Sequence, residues 1–184
     1  VRRPPRATLL PYPPLARSEG DATRSALDNL VNGPDGNVWG IVDYAPARLN
    51  ADGSITRFAL ASGNYAQSIA AGSDGALWFT EPYNGLTSGA TPDSVREAIG
   101  RITPSGTITE FLLPKNAAKP DQIAAGPNGT MWFTLNDFGT GNATPAIGKI
   151  TSLGVSSVYA LPNASVLPHA ITTGPDGNIW FTGN

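Results

Sequence analysis

The sequence predicts an all-β fold, a β-propeller of four-stranded antiparallel blades, on three observations. A glycine-led turn followed by an apolar strand with a tryptophan recurs four times, as Gly33-Pro-Asp-Gly-Asn-Val-Trp39, Gly72-Ser-Asp-Gly-Ala-Leu-Trp78, Gly126-Pro-Asn-Gly-Thr-Met-Trp132 and Gly174-Pro-Asp-Gly-Asn-Ile-Trp180. The spacings of 39, 54 and 48 residues match one propeller blade per repeat once loop insertions are allowed. The 184 residues include 21 Gly and 17 Pro and only 14% charged residues, a composition rich in turns and poor in helix formers.

The unit from Gln67 to Pro114 shows the order of elements. Gln67 to Ala71 is a short apolar strand, Gly72 to Gly75 a hairpin turn, and Ala76 to Glu81 returns antiparallel with β-branched and aromatic residues. After an insertion, Ile99 to Thr103 gives a third strand, Pro104-Ser-Gly106 turns it, and Thr107 to Leu113 alternates into a fourth. The same order recurs from Leu30 to Leu60, with Ala47 to Asn50 and Ser54 to Leu60 as outer strands. It recurs again from Gln122 to Leu161, with Ile147 to Thr151 and Val155 to Leu161. A fourth copy, from His169, ends after its second strand, and upstream Ala7-Thr-Leu-Leu-Pro11 resembles the end of a fourth strand.

The chain therefore divides into an N-terminal segment, 1–29, and propeller repeats over 30–184, with blades at about 30–60, 67–114 and 122–161 and a partial one at 169–184. That is about 3.5 blades, half of a seven-bladed ring. An open array exposes blade faces at roughly 25 cal/mol per Å² of apolar area, so a cover is expected. A second copy of the chain closing the ring, or another chain capping the array, would supply it. Residues 12–27, rich in Pro and small polar residues, read as a capping loop or a linker.

Composition excludes several functions. A net charge of −2 and a pI of about 5.2 give no basic stripe, so no nucleic-acid partner is expected. The absence of cysteine removes disulfides, thiolate metal sites and a cysteine nucleophile. No run of 18 apolar residues spans a bilayer, and the opening Val1-Arg-Arg-Pro-Pro-Arg6 lacks the apolar stretch of a signal peptide. Three lysines and the sequons at Asn128, Asn142 and Asn163 lean toward an extracellular protein.

Within the repeated phrase, Pro fixes φ, Asp or Asn bonds its own backbone and Gly supplies positive φ, which are turn requirements rather than calcium or phosphate ligands. The four tryptophans read as core that packs blade on blade. More informative are the residues five places before each leading glycine: Asp28, Gln67, Asp121 and His169. They start the innermost strands and ring one mouth of the central channel, where a small-molecule or protein ligand would bind. The long insertions Pro82 to Ala98 and Leu135 to Ala146 open on the same face.

The phrases Ile99-Gly-Arg-Ile-Thr-Pro-Ser-Gly-Thr-Ile-Thr-Glu-Phe111, Leu77-Trp-Phe-Thr-Glu81 and Pro168-His-Ala-Ile-Thr172 resemble the virginiamycin B lyase (streptogramin lyase) family over most of the chain from Leu30. The resemblance implies a seven-bladed propeller and a Mg²⁺-dependent elimination that opens the ring of streptogramin B antibiotics. Such chemistry uses a base beside a carbonyl and a metal for the developing charge. In the family these fall to a His in a Glu-Pro-His-Gly-like phrase and to glutamates at the same mouth. His169 matches the catalytic His, but Leu167 stands at the Glu and Ala170 at the Gly. Glu81 matches a metal-binding position, its equivalents being Asp43 or Tyr44, Leu135 and Gly183. The expected function is thus a secreted, lyase-like propeller module for binding or assembly, with no cofactor assigned unless the lyase reading, with its Mg²⁺, holds. The alternative is a Mg²⁺-dependent carbon-oxygen lyase acting on a cyclic depsipeptide. Lactone hydrolysis on a similar propeller ranks behind both.

Overall fold

A computed structural model describes residues 27–60, 64–82, 96–115, 117–136 and 144–184. The outer strand expected at Ala7 to Pro11, most of the 12–27 segment and most of both long insertions lie outside these residues.

Fourteen strands form four antiparallel sheets in chain order. The first is β1 (Asp28–Asn32), β2 (Val38–Val42), β3 (Ala45–Leu49) and β4 (Ile55–Arg57). The second is β5 (Ile69–Ala71), β6 (Leu77–Glu81), β7 (Ala98–Ile102) and β8 (Ile108–Leu112). The third is β9 (Lys119–Ala125), β10 (Thr130–Asn136), β11 (Ala146–Thr151) and β12 (Ser156–Ala160). β13 (Pro168–Thr173) and β14 (Ile179–Gly183) form a two-stranded fourth. The first strands of successive sheets touch, β1 with β5, β5 with β9 and β9 with β13, so they lie innermost and the sheets radiate from them. This is the expected propeller, an open array of blades.

Two glycines of each repeated phrase serve different needs. The fourth residue, Gly36, Gly75, Gly129 or Gly177, has φ of 78°, 75°, 72° or 76°, the left-handed region that glycine enters without steric penalty. The leading glycine is required for space, because a Cβ on Gly33, Gly72, Gly126 or Gly174 would overlap the indole of that blade's own tryptophan. The intervening Asp bonds the backbone as expected and also takes the indole N–H. Trp39 Nε1 donates to Asp35 Oδ1 at 3.0 Å, Trp78 to Asp74 at 3.1 Å and Trp180 to Asp176 at 3.3 Å. The third copy departs from this: Asn128 is itself left-handed (φ 57°) within a 3-10 turn, and Trp132 donates to Thr130 Oγ1 at 3.1 Å instead.

Pleating gives each second strand two packing faces. Leu77 and Phe79 point to blade one and join Trp39, Ile41, Ile69 and Ile102 in one core; Trp78 points to blade three and joins Met131, Phe133, Leu135 and Ile150 in the other. Across the sheet each inner tryptophan pairs with a cation, Arg48, Arg101 or Lys149, and stacks on an outer aromatic, Phe58, Phe111 or Tyr159. The outer turn of the next blade seats on that aromatic: a Cβ on Gly106 would overlap Phe58, and one on Gly154 would overlap Phe111.

The expectation that all four tryptophans are core is corrected here. Trp39 and Trp78 are fully buried, whereas Trp180 is 59% exposed, because among the described residues none packs over the forward face of blade four.

Candidate functional site

The mouth is built by a repeated irregularity between first and second strands. In blade two Gln67 N donates to Thr80 O at 3.0 Å, Thr80 N to Ser68 O at 2.9 Å, and Ser68 N to the Thr80 hydroxyl at 3.0 Å. Two residues thus oppose one, a β-bulge whose extra N–H is capped by a side chain. Thr134 caps Gln122 N at 3.0 Å and Thr182 caps Ala170 N at 3.2 Å at the corresponding shifts of register in blades three and four. In blade one Ile41 replaces the threonine, and the bulge is made by Asn29 in the left-handed region (φ 52°), its Nδ2 donating to Gln67 O at 3.1 Å. The threonine after each Trp-Phe pair is therefore part of the site. Its signal was visible in the recurrence of Trp-Phe-Thr at three of four positions.

The bulges bring Gln67, Asp121 and His169 together from three blades. Gln67 Nε2 donates to Asp121 Oδ1, Gln122 Nε2 donates to the same oxygen at 3.2 Å, and Asp121 Oδ2 lies 3.9 Å from His169 Nδ1. Thr80 Oγ1 donates to Asp121 O at 2.7 Å, fixing the backbone beneath the carboxylate. Asp121 is buried, while His169 is half exposed with Nε2 3.2 Å from Asn184 Oδ1. A buried carboxylate with amide partners and an exposed imidazole at its edge can accept hydrogen bonds from a ligand and orient it.

Asp28 stands on the far side of Gln67, in a cavity of about 470 Å³ between blades one and two that Ile41, Tyr65 and Ala66 also line. This volume suits a small ligand. One wall is the two-residue turn Asp43-Tyr44, with both residues left-handed (φ 47° and 63°). A bulky tyrosine in that region costs roughly 1–2 kcal/mol. Arg57 braces the turn, donating to Val42 O at 3.3 Å and Asp43 O at 2.9 Å. Tyr44 meets Tyr65 edge to face, centroids 5.7 Å apart. Burial, then the charges of Asp121, Tyr44 and Glu97, push the Tyr65 hydroxyl above its ordinary pKa, so it stays a neutral phenol.

Glu81 does not join this group. It is wholly buried on the face of β6 that carries Leu77 and Phe79, and one of its oxygens lies against Gly100. Register also corrects its equivalents: Glu81 pairs with Ala98 as Val42 pairs with Ala45 and Leu135 with Ala146. The place in blade one is Val42, because Asp43 and Tyr44 form the turn beyond it. The positions that would supply further carboxylates hold Val42, Leu135 and Leu167. Among the described residues no group of three or more His, Asp or Glu could hold a metal ion.

No family model matches the chain. A virginiamycin B lyase of Nocardia farcinica is 30% identical over 120 residues, 61% of this chain and 38% of that protein. The crystal structure of a selenomethionine-substituted virginiamycin B lyase from Staphylococcus aureus is 37% identical with a TM-score of 0.69, covering 86% of this chain and 49% of the other. A gluconolactonase structure from Xanthomonas campestris, 18% identical with a TM-score of 0.58 over 83% of this chain and 54% of the other, shares the fold alone. The chain spans 38% of the Nocardia farcinica lyase and 49% of the Staphylococcus aureus structure, less than two thirds of either. In sequence and in fold the chain is similar to part of the virginiamycin B lyases, an array of β-propeller blades.

Proposed function

We propose that this chain is a binding module that holds a ligand at the channel mouth without transforming it. The observation that carries this is the Asp121 carboxylate, buried and held between Gln67 of one blade and His169 of the next but one. It offers a fixed acceptor and an exposed imidazole, which is enough for recognition. Against catalysis, Glu81 is enclosed in the packing of blades one and two rather than facing His169.

The lyase is the second reading, favoured by the 37% identity to the Staphylococcus aureus enzyme and by His169, whose imidazole lies 3.9 Å from a carboxylate. One experiment separates them: calorimetric titration with a streptogramin B depsipeptide, followed by mass spectrometry of the recovered ligand. Intact ligand whose binding weakens in Asp121→Ala supports the binding module. A ring-opened product that needs added Mg²⁺ and vanishes in His169→Ala overturns it in favour of the lyase. No heat of binding would reject a depsipeptide as ligand under either reading.

A further inference from the structure

We propose that the cavity between blades one and two is a second ligand site, an aromatic and acidic cleft that takes an organic ammonium group. The inference rests on the mouth being a binding face; the cavity shares Gln67 with it, while its aromatic residues and its ligand class are its own. The exposed Tyr44 ring and the edge of Tyr65 form an aromatic corner, centroids 5.7 Å apart at 77°. Asp28 places a carboxylate on the same lining, with Asp43 at its rim, and none of the described lining residues is Lys, Arg or His. Ring faces attract cations through their quadrupoles, and carboxylates beside them supply the countercharge, so the combination selects a cation with apolar substituents over a neutral or anionic group.

The backbone supports the assignment. Asn29, Asp43 and Tyr44, three of the four non-glycine residues with positive φ among the described ones, all line this cavity, and the fourth, Asn128, lies in a surface turn. Positive φ at both Asp43 and Tyr44 is what the two-residue turn between β2 and β3 requires, and at Asn29 it makes the blade-one bulge, so these two features together shape the cavity. Here Arg57 holds the turn by its carbonyls, which presents Tyr44 to the cleft and leaves that guanidinium engaged with backbone rather than facing a ligand. The Tyr65 phenol, neutral at ordinary pH and pushed further up by burial and then by the charges around it, adds a donor and acceptor beside the ammonium without opposing its charge.

The test is NMR titration of the full chain with choline and with its neutral isostere 3,3-dimethyl-1-butanol. Choline is expected to shift the resonances of Tyr44, Tyr65 and Asp28 and to bind at least tenfold more tightly than the alcohol. Tyr44→Ala and Asp28→Asn should each weaken choline binding about tenfold, while Tyr44→Phe, which keeps the ring, should stay within about twofold. Equal affinity for the alcohol, shifts elsewhere, or no choline binding would each overturn the proposal. His169→Ala distinguishes the two sites: it should abolish depsipeptide binding at the mouth and leave choline binding intact. Loss of choline binding alone would reject the cleft and spare the mouth.

Discussion

At the scale of single residues, Asp74 shows how much chemistry the turn phrase conceals. The sequence makes it a turn former that bonds its own backbone, and it does accept from Ala76 N at 3.3 Å. It also accepts from Trp78 Nε1 and pairs with Arg101 at 2.7 Å. These contacts were not legible because Arg101 is 27 residues away and reaches it only through the strand register. Burial acts to raise the Asp74 pKa, but the bonds from Arg101 and Trp78, the Arg101 charge and the Ala76 N–H outweigh it and hold the carboxyl below its ordinary value. A lowered folded-state value stabilises the fold above the unfolded value, about 4, and that contribution is lost as pH falls through the folded one. Asp74→Asn should therefore lower stability by about 1–3 kcal/mol at pH 7 in urea unfolding. Its deficit against the unsubstituted chain should shrink as pH drops below about 4; a deficit constant from pH 7 to pH 3 would remove the charged form from the account.

At the scale of elements, the second and third strands of a blade are matched across one position. Phe79 lies over Gly100 and Phe133 over Gly148, where a Cβ on either glycine would overlap the ring; in blade one the phenylalanine is Gly40 and its partner is Ala47. The sequence displays each residue, yet the exchange becomes meaningful only in register. Gly100→Ala should destabilise by about 1–3 kcal/mol through overpacking, and adding Phe79→Gly should cost less than the sum of the two single changes. Strict additivity in thermal or urea melts would show that the two sites are not coupled. The bulges carry the same lesson for the site. The alignment of Asp28, Gln67, Asp121 and His169 was legible as a spacing, but what aims three of them is the threonine hydroxyl after Trp-Phe, a contact that spacing does not encode. Thr80→Val keeps the shape, removes the acceptor of Ser68 N and the donor to Asp121 O, and should cost about 1–3 kcal/mol while weakening binding at Asp121. Unchanged affinity would mean that the bulge is held by its backbone bonds alone.

At the scale of the molecule, the repeat was legible because each blade needs the same turn and the same aromatic, and the radial arrangement follows from neighbouring first strands meeting. What the repeat does not encode is that identical residues carry unequal energy. Trp78 is buried between two blades, with Asp74 as acceptor and a partly buried Phe111 stacked on it, so Trp78→Ala empties a packed core and should cost about 3–5 kcal/mol. Trp180 keeps the turn contact with Asp176 but is 59% exposed, with none of the described residues packed over its forward face, so little apolar area is lost when it is truncated. Trp180→Ala in this chain should cost under about 1 kcal/mol, because the transfer term scales with area removed from water. Urea unfolding of the two variants measures the difference directly. Should Trp180→Ala prove as costly as Trp78→Ala at low protein concentration, the forward face of blade four would be covered within the chain. Should the cost appear only as concentration rises, the cover would be a second copy, since only association makes stability depend on protomer concentration.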